Sequence, residues 1–208
     1  MARSGPATRV RRKPSAAADD TRRALVDAAI AALREDGFVG ASARSIAARA
    51  GCNQGLVFYH FGSVANLLLA ALDEVSRRRL DEYEHTVEGV TSLGDLVAVA
   101  AGIFREDLDK GYVTVLAEMI AGASSTPGLG PEVAKRIKPW RAFAKSAIDG
   151  VAGGSGLSTD SVAHAIVALY LGLELLAHLD GDRKPAGALF EQARSLAPLV
   201  DAMTRVGQ

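Results

Sequence analysis

An all-α fold, with a three-helix N-terminal head joined to a larger helical body, is predicted by three observations. Apolar residues recur at three- and four-residue spacing along almost every long segment, as they do on a helix with one buried face. No alternating strand pattern and no internal repeat interrupts that spacing. Apolar side chains make up 49% of 208 residues, ample for the core of one large or two small domains.

Residues 1–18 come first, where Arg3, Arg9, Arg11, Arg12 and Lys13 sit among Gly5, Pro6, Pro14 and serines without apolar periodicity. This is the composition of a disordered basic arm, either touching a minor groove or phosphates or serving only as a solvated tail. No apolar run follows the arginines, since Asp19, Asp20, Arg22 and Arg23 come next, so a secretion signal is not expected. A first helix is expected from a cap at Asp19 or Asp20 through Leu25, Ala29 and Leu33 to Gly37, with Phe38 plugging the core of the head.

The most informative stretch is Ser42 to Ser63, SARSIAARAGCNQGLVFYHFGS. Ser42 is a good N-cap for a helix starting near Ala43. Ile46 and Ala50, four apart, face inward, Ala47 allows close approach, and Gly51 suits the left-handed residue that ends a helix. Asn53 is again a preferred cap, so a second short helix is expected from about Gln54 to His60, stopping at Gly62. Val57 and Phe61 supply its packed face, which turns Gln54, Gly55, Phe58 and Tyr59 outward and leaves Leu56 and His60 on the flanks.

A short, rigid helix with a bare polar and aromatic face is suited to reading a DNA major groove. Gln54 can bond an adenine edge, Leu56 or Phe58 can meet a thymine methyl, and Tyr59 and His60 can bond phosphate oxygens. Gly55 lets the helix lie close to the duplex.

In these residues the chain resembles the TetR/AcrR transcriptional regulators, whose recognition region commonly reads T-x-R-x-I-A-x-x-A-G-V-S-x-G-x-L-Y-x-H-F-x-S-K. Here the positions hold Ser42, Arg44, Ile46, Ala47, Ala50, Gly51, Cys52, Asn53, Gly55, Val57, Phe58, His60, Phe61, Ser63 and Val64. The resemblance implies that Ser42, Ala43 and Arg44, with Gln54, Gly55, Leu56, Phe58, Tyr59 and His60, face an operator in double-stranded DNA. It also implies a small-molecule effector pocket and a homodimer. Phe58 and Val64 depart from the pattern, each removing a phosphate contact, so binding should be weaker and its salt dependence flatter.

Three units are therefore expected: the arm at 1–18, a helix-turn-helix DNA-binding domain at 19–64, and an effector-binding and dimerisation domain at 65–208. A fourth helix should run from Ser63 to about Val87, with Arg77, Arg78 and Arg79 on a solvated face paired with Asp73, Asp81 and Glu82. After a break at Gly89 to Gly94, Leu96 to Phe104 mark a fifth helix and Tyr112 to Ile120 a sixth. A loop at 124–131 leads to a seventh, from Val133 to Ile148, which Pro139 should kink or restart. A flexible connection is expected at 151–156.

Ser161 to Leu179 is apolar nearly all round and long enough to suggest a membrane span, but His164, Glu174 and His178 argue against one. A helix of this kind must be covered on every side, by its own core or by a second copy. Ala168, Gly172 and Leu176 on it, with Leu189, Ala193, Leu196 and Val200 on the last helix, are the candidate dimer face. Phe104, Tyr112, Met119, Trp140, Phe143 and Tyr170 are the candidate effector-pocket residues, with ordinary core packing as the alternative for any one of them.

Net charge is zero, yet residues 1–60 carry ten Lys or Arg against five Asp or Glu, and the rest of the chain fourteen against nineteen. That asymmetry fits a polyanion-binding end on a body that binds none. The single cysteine, Cys52, excludes an intrachain disulfide and fits a cytoplasmic protein, its simplest role being a small buried apolar group. His164 and His178 fall about 21 Å apart along one helix, too far to share an ion, so no metal or other cofactor is expected. No phosphate-binding loop, nucleophile elbow or zinc-type spacing appears, so no enzyme is expected. The sequence reads as a dimeric regulator, most simply a repressor released from a palindromic operator by an effector. A helical protein adaptor, or a regulator whose effector promotes DNA binding, is the alternative.

Overall fold

The computed structural model describes residues 16–152 and 158–206, and every regular element among them is a helix. The basic residues of the expected arm and most of the glycine-rich connection lie outside the described residues. The elements are α1 (Ala16–Glu35), α2 (Gly37–Gly40), α3 (Ala43–Arg49), α4 (Gly55–Phe61), α5 (Val64–Val87), α6 (Leu93–Lys110), α7 (Tyr112–Ala123), α8 (Leu129–Ala152), α9 (Thr159–Asp180) and α10 (Lys184–Val206).

Helix α1 starts three residues before the expected cap, so Asp19 lies in its first turn, where a negative charge suits the helix dipole. Leu25, Ala29 and Leu33 form its buried stripe and meet Leu67, Leu68, Ala71 and Leu72 of α5. Fully burying one such leucine is worth about 1.5–3 kcal/mol, so this stripe anchors the head. Helices α3 and α4 are seven residues each, too short to persist alone. Ile46 and Val57, both wholly buried, hold them against α1 and α5.

The core of the head is not closed by the head alone. Val115 and Met119 of α7 and Leu129 and Val133 of α8 belong to the same buried cluster. Phe38, expected to plug the head's own core, instead forms a joint to the body. Its ring lies against Gly122 of α7, so closely that a Cβ there would fall 2.3 Å from a ring carbon. One turn earlier, Glu118 Oε2 accepts a hydrogen bond of 2.8 Å from the Phe38 amide. The single-turn α2 thus docks on α7 through a ring and a backbone donor.

In the body, Gly111 turns the chain from α6 to α7 in a left-handed conformation (φ +64°), with its amide donating to the Asp107 carbonyl at 2.8 Å. Helix α8 runs unbroken through Pro139, so the expected restart does not occur. It also begins at Leu129, earlier than expected, because Pro131 sits in the first turn, where its missing amide costs nothing. Helix α10 packs on α6, and α8 on α9.

Helix α9 has the length and composition of a membrane span, and only 17% of its apolar window is buried within the chain. Ile166, Leu169, Leu175, Leu176 and Leu179 of α9 and Leu196 and Leu199 of α10 are exposed. Two of the residues expected on a shared face are turned toward the body. Leu189 and Ala193 are half-buried on the inward side of α10, where it covers the interior of the body. The side chain of Val200 lies outside the described residues.

Candidate nucleic-acid interface and ligand cavity

The two short helices are built by reciprocal local hydrogen bonds. Ser42 Oγ accepts from the Ser45 amide at 3.1 Å while Ser45 Oγ accepts from the Ser42 amide at 2.9 Å, a capping box made by two serines. Gly51 (φ +65°) ends the first helix. Asn53, expected as the cap of the second helix, stands one residue before it: the helix begins at Gly55 and Gln54 takes the cap position, while Asn53 Oδ1 accepts from the Gly55 amide at 2.7 Å. Gly62 (φ +76°) closes α4, and the Asn66 side chain ties its end to α5 by donating to the Phe61 carbonyl at 2.9 Å. Ser63 Oγ in turn caps α5 through the Asn66 amide.

These constraints present one face of α4 to solvent. Phe58 is 51% and Tyr59 79% exposed, large apolar areas with no intramolecular cover. Gln54, Gly55, Ser42 and Arg44 are also exposed. Ala43, Leu56 and His60 are half-buried, with Ala43 and Leu56 packed at the edge of the core and the His60 ring edge-on to Tyr59 at 5.0 Å. Arg49 is neutralised beside this face by Glu35 (2.6 Å) and Asp36 (2.8 Å), which raise its pKa. Cys52 is half-buried against the core.

The body holds a partly open cavity of about 380 Å³ between α5, α6, α7, α8, α9 and α10. Tyr112, Trp140, Phe143 and Tyr170 line it, as expected from their spacing. Phe104 and Met119 do not. Phe104 is buried beside Tyr170 and Phe190, and Met119 is wholly buried in the core shared with the head. Tyr83 lines the cavity as well.

Its wall carries a polar cluster that the sequence reading did not place there. The arginine triplet divides: Arg77 pairs with Glu74 and Asp81, and Arg78 with Glu74 and Asp27, near the surface. Hydrogen bonds from Arg77 hold the Glu74 carboxyl down at about 2. Arg79, expected on the same solvated face, is 1% exposed. It ion-pairs with Asp107 of α6, donates to Tyr83 Oη, and stacks over the rings of Tyr83 (4.5 Å) and Tyr112 (4.2 Å). Tyr83 Oη donates to Asp107, as does Tyr170 Oη at 2.7 Å. Burial pushes the Asp107 carboxyl up to about 7. Glu174, four residues beyond Tyr170 on α9, is wholly buried in the same wall. Among the described residues no group of three or more His, Cys, Asp or Glu is arranged to hold a metal ion.

A capped, glycine-turned pair of short helices on a three-helix head has the geometry of a helix-turn-helix. Residues 25–71 match the family described as bacterial regulatory proteins, tetR family. An uncharacterized HTH-type transcriptional regulator of Mycobacterium tuberculosis is 30% identical over 105 residues, 50% of this chain and 54% of that protein. The chain thus spans about half the length of the curated relatives it matches. Solved structures extend the likeness of fold to both regions. A TetR-family regulator from Cytophaga hutchinsonii superposes with a TM-score of 0.73 at 17% identity, over 89% of this chain and 97% of the other. A putative transcriptional regulator from Pseudomonas aeruginosa PAO1 gives 0.70 at 22% identity, over 95% and 97%. FadR from Bacillus subtilis in complex with stearoyl-CoA gives 0.69 at 17% identity, over 84% and 96%.

Proposed function

We propose that this DNA-binding regulator acts as a cytoplasmic homodimer, a repressor whose grip on a palindromic operator is released when a small apolar molecule fills the body cavity. The observation that carries the reading is that two helices each belong to both regions. Helix α5 packs its N-terminal half on α1 and α4 and lines the cavity with Val75, Arg79 and Tyr83 further along. Helix α7 lines it with Tyr112 and Leu116 and receives Phe38 through Glu118 and Gly122. A ligand that favours one placement of these helices biases the placement of the reading heads.

The exposed leucines of α9 and α10 are the proposed subunit interface, with Ala168, Gly172 and Leu196 in it; a Cβ at Gly172 would meet open space within the chain. Two-fold pairing sets two copies of α4 about one helical turn of DNA apart, which is why a palindrome is expected. The likeness in fold to a stearoyl-CoA-bound FadR supports an apolar ligand chamber in this architecture.

Anisotropy of labelled DNA from the upstream region of the protein's own gene, titrated at two salt concentrations beside an unrelated fragment, tests the reading. Selective binding that weakens in Tyr59→Ala and Gln54→Ala by about 1–3 kcal/mol is expected. Wild-type affinity in both variants would remove α4 as the reading helix.

A further inference from the structure

The geometry points to an apolar cation as the ligand of the body cavity, its charged nitrogen received by the Glu174 carboxylate. The inference rests on the reading of that cavity as the effector site and adds the ligand's chemistry.

Glu174 is fully buried in the cavity wall, and neither carboxyl oxygen accepts a hydrogen bond of good geometry. Most donors in the wall are directed elsewhere. Arg79 engages Asp107 and Tyr83 and leaves only its Nε without a hydrogen bond, Tyr83 and Tyr170 donate to Asp107, Trp140 Nε1 donates to Ser76 Oγ at 3.2 Å, and Arg136 pairs with Asp73 and Glu132. A buried polar group without a partner is costly, and a buried carboxylate far more so. A ligand that carries a donor of its own meets that demand.

Charge decides which donor. Asp107 and Glu174 are two carboxyls facing one buried cation, Arg79, which is already committed to Asp107. An anionic head would set a second negative group beside Asp107 against the single cation Arg79. A cationic head keeps the local charge in balance as Glu174 ionises and supplies the hydrogen bonds. Burial, reinforced by the charge of Asp107, pushes the Glu174 carboxyl up to about 9, so the ligand-free wall holds it as the neutral acid near pH 7. Tyr170 and Arg79 act on it in the opposite direction, as does the Tyr170 hydrogen bond on Asp107, while hydrogen bonding between the Glu174 and Asp107 carboxyls raises Glu174 and lowers Asp107. Binding of an ammonium ion thus expels the Glu174 proton to solvent: the O–H bond breaks, an N–H···O bond forms, and one proton leaves per ligand bound.

The test uses three ligands of one chain and three heads, decylamine, 1-decanol and decanoate, below their aggregation limits. Fluorescence of Trp140, the chain's single tryptophan and a wall residue, reports occupancy. Calorimetry in two buffers of different ionisation enthalpy reports the proton. Decylamine is expected to bind at least about tenfold more tightly than decanol, and decanoate more weakly than either, with proton release for the amine alone. In Glu174→Gln the amine should fall to the affinity of decanol, decanol itself staying unchanged. Decanoate binding tightest would overturn the inference and pass the role to Arg79. Equal affinities for all three, or amine binding without proton release, would overturn it and leave the cavity reading standing. No binding by any of them would sink the cavity reading itself. The wild-type ranking stands as a test even if the variant folds poorly.

Discussion

The head and the body treat their interiors in opposite ways. The head packs Leu25, Leu33, Ile46, Val57 and Leu67 to zero exposure and keeps its polar groups in caps at the surface. The body places Arg79, Asp107 and Glu174 inside, around about 380 Å³ of open volume. A reading surface needs a fixed shape, so its scaffold is dense. A ligand chamber needs room and an unmet polar demand, so its stability is incomplete until something fills it.

Truncations test this contrast most strongly. Leu33→Ala in the head is expected to cost about 2–5 kcal/mol, since it opens a void in a full core. Leu116→Ala, at the wall of an existing cavity, should cost clearly less. Equal losses in chemical denaturation would erase the distinction. The joint comes next: Gly122→Ala should cost about 1–3 kcal/mol, because the new methyl overlaps the Phe38 ring. Phe38→Ala in the same chain should recover part of that loss, and strict additivity of the two would show that the ring does not dock there.

The third difference is one of pH. Glu174 and Asp107 hold their protons to about 9 and about 7 when folded, against ordinary values of 4.5 and 3.8. Between those limits the native state binds more protons than the unfolded chain, so stability falls as pH rises. The melting temperature of ligand-free protein should therefore decline from about pH 5 to pH 9, and Glu174→Gln should flatten the decline. A melting curve that rises over that range would contradict the buried neutral acid. The smallest effect belongs to the reading face: Tyr59→Ala, which removes an uncovered ring, should change stability by no more than about 0.5 kcal/mol.

The same contrast explains what could be read from sequence. The helix-turn-helix is written in local signals, each acting within a few residues: Ser42 with Ser45, Gly51, Asn53 with Gly55, and Gly62. Those signals carried α3 and α4 to within a residue, and the outward turn of Phe58 and Tyr59 followed from Val57 facing inward. The cavity is a tertiary product. Arg79 differs from Arg77 and Arg78 only by its angle around α5, and its partner Asp107 lies on another helix. Nothing local tells Phe104 and Met119, which fill core, from Tyr112 and Trp140, which line space. Leu189 and Ala193 carry the same stripe periodicity whether α10 turns it toward a second copy or toward α6. A charged residue inside an apolar helix, Glu174 in α9, was the one available signal of the buried cluster.

The central claim is that filling the body loosens the hold of the head on DNA. The most direct measurement titrates a preformed complex of protein and labelled upstream DNA with whichever decyl ligand binds the cavity most tightly, following DNA anisotropy and Trp140 fluorescence in the same sample. DNA is expected to be released with the same midpoint at which Trp140 reports filling. Saturation of the Trp140 signal with DNA affinity unchanged would contradict it.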